Sequence, residues 1–284
     1  LPRPRFSRRH FGELFHYGPH ITAVRVVYFF NHQIDRLLVG YILGATALGL
    51  FGMARRVSDG AIYGLAGVVY TVTFPVLSRL QDDRERLVQA LRSAAHFSSL
   101  IIFPAFAGLA LVAPVLVDTF LRPEWRPMGG VLQILSLGAM VFSVSTVLGT
   151  IIRATGRADL SFRISLLGTG LRIVLCLLVV QFGIKAVAVV NIIVPLCMLP
   201  ISLYFMRKIV SITIRDLAME LVPAAVSTVI MSTCVAATHM VLTGQISSGA
   251  ELAALIATGV ATYGVALFVT ARPSLVQLLH EFPR

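Results

Sequence analysis

Long apolar stretches follow one another along the whole chain and are separated by short polar segments. Eight of them reach the roughly 20 residues that a helix needs to cross about 30 Å of hydrocarbon. They lie at 17–39, 46–77, 88–112, 128–152, 161–182, 184–206, 217–242 and 249–270. The pattern predicts an all-α fold, a polytopic membrane helix bundle of about eight transmembrane helices. Only Gly183 separates the fifth stretch from the sixth, which predicts a tight helical hairpin.

The composition supports a membrane protein. Of the 284 residues, 57% are hydrophobic and 13% are charged, and the mean hydropathy is +0.85. A soluble domain carries roughly 25% charged residues, and a soluble fold with this composition would expose large apolar patches. A soluble enzyme, a disordered chain and a disulfide scaffold are therefore excluded. The three cysteines fall inside apolar stretches, where we expect small packing residues: Cys176, Cys197 and Cys234.

The basic residues predict the orientation. The chain has 24 Lys and Arg against 13 Asp and Glu, a formal net charge of +11. Basic residues of membrane proteins collect in cytoplasmic loops, so this excess is interpreted as topology and no nucleic-acid partner is expected. The loops on the side of residue 1 hold 15 basic residues, and the opposite side holds three, Arg122, Arg126 and Lys185. The bias predicts a multi-pass membrane protein with both chain ends in the cytoplasm.

Five arginines lie well inside the predicted spans, namely Arg25, Arg36, Arg55, Arg56 and Arg172. A charge at mid-bilayer costs about 2.5–3.5 kcal/mol on insertion scales, so such a side chain must face a protein interior or water. At about 100° per residue, Arg25, His32 and Arg36 fall on one stripe of the first span. In the second span Arg55 and Asp59 form an i,i+4 pair.

Two interpretations of these charges are open. Buried ion pairs would join Arg55 to Asp59, and Asp35 to Arg36 or Arg25. However, the five arginines face only Asp35 and Asp59, which leaves an excess of about three positive charges. A hydrated cationic cavity is therefore favoured, and the arginine fork suits phosphate or pyrophosphate. We expect these five arginines to bind substrate, with four polar residues lining the cavity as candidates for ion coupling: Asn31, His32, Asp35 and Asp59.

The sequence carries no motif for catalysis, metal binding or a cofactor. It has no phosphate loop of the form G-x-x-x-x-G-K-[ST], no H-E-x-x-H and no Cys/His cluster with metal spacing. No segment outside the spans exceeds about 17 residues, so there is no room for a soluble catalytic domain. We therefore expect no catalytic residue, no metal, no cofactor and no enzyme activity.

Four runs of residues, taken in order, resemble a known family. The run Asn31-x3-Asp35-Arg36-Leu37-Leu38-Val39-Gly40, with Leu43-Gly44 and Leu48-Gly49 after it, resembles the start of the C-terminal lobe in Wzx-type polysaccharide flippases. These belong to the multidrug/oligosaccharidyl-lipid/polysaccharide exporter superfamily. Three further parts are similar to that family: Phe74-Pro75-x-Leu77-Ser78-Arg79, Pro104-x3-Gly108-Leu109 followed by Trp125, and Arg153-Ala154-Thr155-Gly156-Arg157. The resemblance covers nearly the whole chain.

The resemblance implies a domain organisation. We expect a cytoplasmic inter-lobe linker with an amphipathic pattern at 1–16 and a six-helix C-terminal transporter lobe at 17–206. Two additional transmembrane helices and a cytoplasmic tail follow at 207–284. The first six-helix lobe of the family would lie outside this sequence.

The resemblance also implies a function. Family members move an undecaprenyl-pyrophosphate-linked oligosaccharide across the cytoplasmic membrane for O-antigen, capsule or exopolysaccharide biosynthesis, by alternating access with a cationic cavity. The implied partners are that lipid-linked oligosaccharide, membrane lipids and the polysaccharide polymerase machinery.

Three alternatives stay open. A cation-coupled multidrug exporter would need an acidic cavity. An intramembrane glycan polymerase or ligase would need a long extracytoplasmic loop, whereas the longest predicted here, at 113–127, has about 15 residues. A scaffold or assembly subunit is the third.

Overall fold

A computed structural model of the chain describes residues 33–79, 84–154, 158–210 and 214–270. Nearly all of these residues are helical, and no strand occurs among them. Helix α1 covers 33–43, and its last five residues, Val39–Leu43, form a π-helical turn. The remaining helices are α2 (Gly44–Arg79), α3 (Arg84–Phe120), α4 (Arg126–Ala154), α5 (Ala158–Val179), α6 (Ile184–Val210), α7 (Ile214–Leu242) and α8 (Ser248–Thr270). Short 3-10 turns occur at Pro123–Trp125 and Val180–Phe182.

The described helices confirm the polytopic all-α bundle. Seven helical stretches in the described ranges are long and apolar enough to cross a membrane, judged by length and composition. The first predicted span, 17–39, lies mostly outside these ranges, so the count of eight stays a prediction. The predicted end of the third span at 112 is wrong by about two turns. Pro114 lies inside α3, which continues to Phe120, because a helix packed among neighbours tolerates a missing backbone donor.

Two glycines in the left-handed region reverse the chain. Gly44 has φ +88° and Gly183 has φ +97°, a conformation that side chains with a Cβ rarely adopt. A contact of 3.3 Å between Arg36 Nη2 and Asp59 Oδ2 shows that the chain reverses at Gly44. On one straight helix these two residues would lie about 35 Å apart. The apolar stretch Gln33–Leu65 is therefore two antiparallel helices. Gly183 forms the tight hairpin that the sequence predicts.

Helix α4 lies at the centre of the bundle and packs against α2, α3 and α6. The main apolar core includes Phe51 of α2, Met128 and Leu132 of α4, and Val187 of α6, all fully buried. Small residues set the distance between the central helices. A Cβ on Gly138 of α4 would lie 3.0 Å from the backbone oxygen of Asn191 in α6. This close approach fixes the position of α6 at Asn191.

Helices α7 and α8 pack against each other and against α3. An apolar cluster joins Val115 of α3 to Val235 of α7 and Leu255 of α8. The Tyr263 hydroxyl donates a hydrogen bond of 2.7 Å to the backbone oxygen of Leu100. The contact places the α7 and α8 pair on the α3 side of the bundle.

Candidate functional site: a buried arginine and aspartate network

Four helices bring charged or polar side chains to the same level of the bundle. Asp35 lies on α1, Arg55 on α2, Arg172 on α5 and Asn191 on α6. Counted at 1.5 Å per residue from the Gly44 and Gly183 turns, they lie about 12–17 Å along their helices. This is close to the middle of a hydrocarbon layer about 30 Å thick. We call these four residues, together with Arg36 and Asp59, the arginine–aspartate network.

Asp35 is the fully buried acid of the network, with 0% of the residue exposed. Its Oδ2 atom accepts from Arg55 Nη1 at 3.4 Å and from Arg172 Nη1 at 3.5 Å. The amide nitrogen of Asn191 donates to the same oxygen at 3.4 Å. Three donors from three helices therefore converge on one carboxylate oxygen of α1.

Asn191 also accepts hydrogen bonds from both buried arginines. Its Oδ1 atom lies 2.7 Å from Arg55 Nη1 and 2.7 Å from Arg172 Nη1. These are the shortest contacts described within the network. One neutral amide oxygen thus holds two guanidinium groups side by side.

The network becomes more exposed away from Arg172. Asp59 accepts from Arg55 Nε at 3.0 Å and from Arg36 Nη2 at 3.3 Å. Side-chain exposure rises from 9% at Arg172 to 12% at Arg55 and 29% at Arg36. Charge is therefore distributed continuously from a buried position to a partly open one.

The surplus of positive charge in the described network is smaller than the sequence predicts. The network holds three guanidinium groups and two carboxylates, a formal surplus of one positive charge rather than three. Arg56 is exposed, because its side chain points about 100° away from that of Arg55 on the helix. Arg25 lies outside the described residues.

The ion-pair interpretation is confirmed for Arg55 with Asp59. Of the two partners suggested for Asp35, Arg36 pairs with Asp59 instead, and Arg25 lies outside the described residues. Asp35 contacts Arg55 and Arg172. Adjacent residues on a helix do not face each other, and the reversal at Gly44 brings α2 alongside α1.

The structure brings five of the predicted site residues together, and a sixth residue was missed. The five are Asp35, Arg36, Arg55, Asp59 and Arg172, whereas Asn31 and His32 lie outside the described residues, as Arg25 does. Sequence reasoning missed Asn191 because it started from spans that contain charged residues, and the sixth span has none near its middle. A signal was present, since Asn191 is an isolated amide within the apolar run 186–194, and polar groups in a membrane span require partners.

Three buried polar atoms of the network have no hydrogen-bond partner among the described residues: Asp35 Oδ1, Arg36 Nε and Arg172 Nε. Two of them are donors on arginines. In the part of the chain that the structure describes, no group of three or more His, Cys, Asp or Glu side chains could hold a metal ion. The unassigned donors suit a polar or anionic group better than a cation.

Comparisons with known proteins point to polysaccharide biosynthesis. The sequence profile of a family described as "Polysaccharide biosynthesis protein" matches residues 1–130. The lipopolysaccharide biosynthesis protein WzxC of Escherichia coli (strain K12) is 27% identical over 168 residues, which cover 59% of this chain and 34% of WzxC. The probable low-salt glycan biosynthesis flippase Agl15 of Haloferax volcanii is 23% identical over 192 residues, covering 66% of this chain and 40% of Agl15.

Among solved structures, the fold is similar to the lipid II flippase MurJ in an inward closed conformation. The TM-score is 0.75 at 17% identity, and the match covers 96% of this chain and 57% of the MurJ chain. At this identity the likeness concerns the fold alone. The matched regions span about a third of the length of WzxC and two fifths of that of Agl15.

Proposed function

We propose that this chain translocates an undecaprenyl-pyrophosphate-linked oligosaccharide. The chain is a multi-pass membrane protein that is similar to the Wzx-type polysaccharide flippases of the multidrug/oligosaccharidyl-lipid/polysaccharide exporter superfamily. The movement is across the cell inner membrane, for the synthesis of a surface polysaccharide. The relatives are named as flippases and biosynthesis proteins, which supports transport rather than catalysis.

The observation that carries this proposal is the surplus of guanidinium groups at mid-membrane depth. Three arginines share two carboxylates, and the Nε atoms of Arg36 and Arg172 have no described partner. A diphosphate supplies negative charge and oxygen acceptors, and arginine binds such groups through paired donors. The increasing exposure toward Arg36 leaves a polar route by which an anion reaches the network.

The rest of the mechanism follows the family resemblance. In this proposal the lobe 17–206 works by alternating access with a lobe that lies outside this sequence, and both ends of the chain face the cytoplasm. The linker 1–16 joins the two lobes, and the segment 207–284 adds two helices and a tail. A polysaccharide polymerase then receives the translocated substrate.

The multidrug-exporter alternative has less support. The relatives compared by sequence are named for lipopolysaccharide and glycan biosynthesis, and a cation would be repelled by the surplus positive charge of the network. The polymerase or ligase alternative needs a long extracytoplasmic loop. Since α3 extends to Phe120, the predicted loop at 113–127 shrinks to 121–125.

The test replaces the buried arginines one at a time in cells that depend on this protein for their surface polysaccharide. In R55A and R172A we expect the lipid-linked oligosaccharide to accumulate on the cytoplasmic leaflet and surface polysaccharide to fall at least about tenfold. The expectation follows from the loss of charge-assisted hydrogen bonds worth about 1.5–3 kcal/mol each. Membrane insertion is checked by immunoblot of the membrane fraction.

The matched control is R126A. Arg126 is 68% exposed and pairs with Asp118 at 3.0 Å, so its loss should leave polysaccharide export unchanged. Normal export in both R55A and R172A, with the proteins present in the membrane, would contradict the proposal. In R56A we expect polysaccharide export close to that of the unmodified chain, because Arg56 is exposed and lies outside the network. A loss of export in R56A would show that the binding site extends to Arg56.

A further inference from the structure

Asn191 provides an acceptor for two arginines without contributing a charge. Its Oδ1 atom accepts from Arg55 Nη1 and Arg172 Nη1 at 2.7 Å each, and its Nδ2 atom donates to Asp35 Oδ2 at 3.4 Å. Because Arg55 Nη1 and Arg172 Nη1 each lie 2.7 Å from the same oxygen, they are at most twice that distance apart, although both groups are positively charged. Without a shared acceptor, mutual repulsion would separate them.

The identity of this residue decides the charge of the network. An aspartate at position 191 has nearly the same shape as asparagine and would accept the same two hydrogen bonds. It would also raise the number of carboxylates to three and cancel the surplus positive charge. An acid there would form charge-assisted hydrogen bonds with both arginines, but it would lose the donation from Asn191 Nδ2 to Asp35 and place two carboxylates side by side.

We infer that Asn191 is a positioning residue for the diphosphate site: it holds Arg55 and Arg172 together while it preserves their surplus charge for the substrate. The inference rests on the proposed function above. It assigns a role to an uncharged side chain that touches the arginines and acts on the substrate through them.

The geometry shows which donors this arrangement leaves for a ligand. Both Nη1 atoms are occupied by Asn191 and Asp35, and Arg55 Nε is occupied by Asp59. The buried Nε atom of Arg172 has no hydrogen-bond partner among the described residues. Because Arg172 and Arg55 share one acceptor, a diphosphate that reaches this donor lies next to both guanidinium groups.

The position of Asn191 is set by the backbone rather than by its own side chain. Gly138 of α4 lies so close that a Cβ there would be 3.0 Å from the Asn191 backbone oxygen and 3.4 Å from its Cβ. Asn191 is also 8% exposed. A buried amide held in this way has little rotational freedom, which makes the arginine pair preorganised for binding.

The test uses the purified full chain in detergent, with farnesyl diphosphate as the probe and farnesyl monophosphate for comparison. Binding is measured by isothermal titration calorimetry, and stability by the thermal unfolding midpoint without ligand. In N191D the charge-assisted hydrogen bonds to two arginines oppose the lost donation to Asp35 and the repulsion between two carboxylates, so we expect an unfolding midpoint near that of the unmodified chain. We expect diphosphate affinity to fall by about tenfold to a hundredfold, because the added carboxylate lies next to both arginines.

The matched control is Q181E, which makes the same change from amide to acid in an exposed residue of the 3-10 turn beside Gly183. It should bind the diphosphate as the unmodified chain does. A second variant, N191L, removes the acceptor without adding charge. It should lower both the unfolding midpoint and the affinity, because two buried guanidinium groups lose a shared hydrogen-bond partner.

The outcomes separate this inference from the proposed function. If the unmodified chain binds the diphosphate and N191D binds it equally well, the role of Asn191 is refuted while the anion site stands. If N191D fails to fold because its carboxylate repels Asp35, N191L decides, and an N191L chain that binds the diphosphate as the unmodified chain does refutes the role of Asn191. If the unmodified chain binds neither probe, both the site and the role of Asn191 are overturned.

Discussion

At the scale of single residues, Asp35 is the most important acid in the network. It is fully buried and receives hydrogen bonds from Arg55, Arg172 and Asn191 through one oxygen. Burying an ion pair brings little net stability, but removing one partner leaves an uncompensated charge in a low-dielectric interior. The energetic role of Asp35 is therefore to make the two buried arginines tolerable.

The substitution D35N tests this role. It keeps the shape of the side chain and removes the charge, so we expect the free energy of unfolding to fall by about 3–5 kcal/mol. The measurement is the thermal or denaturant-induced unfolding of the purified chain in detergent.

The control for D35N is D118N, which alters an ion pair whose side chains are 41% and 68% exposed. An exposed pair contributes about 1 kcal/mol or less, so D118N should unfold nearly as the unmodified chain does. Equal losses in the two variants would show that Asp35 has no special role.

At the scale of elements, two hairpins form the site. Helices α1 and α2 meet at Gly44 and α5 and α6 meet at Gly183, and the π-helical turn of α1 contacts the 3-10 turn Val180–Phe182. Because both turns lie at the same end of the bundle, residues counted back from them reach the same depth. The glycine turns therefore set the level at which the network lies.

The substitution G183A tests the left-handed turn. The backbone there has φ +97° and ψ 179°, a region nearly restricted to glycine, so alanine should cost about 1–3 kcal/mol. We expect a lower unfolding midpoint.

The control for G183A is G170A in α5, where an added Cβ meets no other atom within 4 Å. Alanine inside a helix is favoured over glycine by about 0.5–1 kcal/mol, so this variant should be as stable as the unmodified chain or more stable. A G183A protein as stable as G170A would mean that the turn bears no strain.

At the scale of the whole molecule, orientation determines which face of the membrane each turn meets. The basic-residue bias predicts a cytoplasmic start of the chain, and the described helices then place the Gly183 turn and the turn between α7 and α8 outside. The side of the bundle where α5 begins would face the cytoplasm. This assignment decides the direction of the proposed transport.

Single cysteines report the orientation. Q181C and Q245C, at exposed positions in the two turns, should react with a membrane-impermeant maleimide added to spheroplasts. D159C, exposed in the first turn of α5, should react only after the membrane is opened. The unmodified chain provides the background, since its cysteines lie within α5, α6 and α7. Labelling in the opposite order would invert the proposed topology.

Much of this architecture follows from the sequence by itself. The hydrocarbon thickness sets a minimum length for every apolar stretch, so the number and approximate bounds of α2 to α8 can be predicted, as can the hairpin at Gly183. The pair of Arg55 with Asp59 is equally local, since residues four apart share a helix face. The largest difference among α2 to α8 is at the end of α3, which continues past Pro114 to Phe120.

The tertiary structure alone decided which charges of different helices meet. Asp35 contacts residues 20, 137 and 156 positions away in the chain, and no periodicity within one helix contains that information. The contacts depend on how α2, α5 and α6 pack around α1, and on the close approach that Gly138 allows to Asn191. For this reason the surplus of arginine could be predicted from the sequence, whereas its size, its pairing and the neutral amide that holds it together could not.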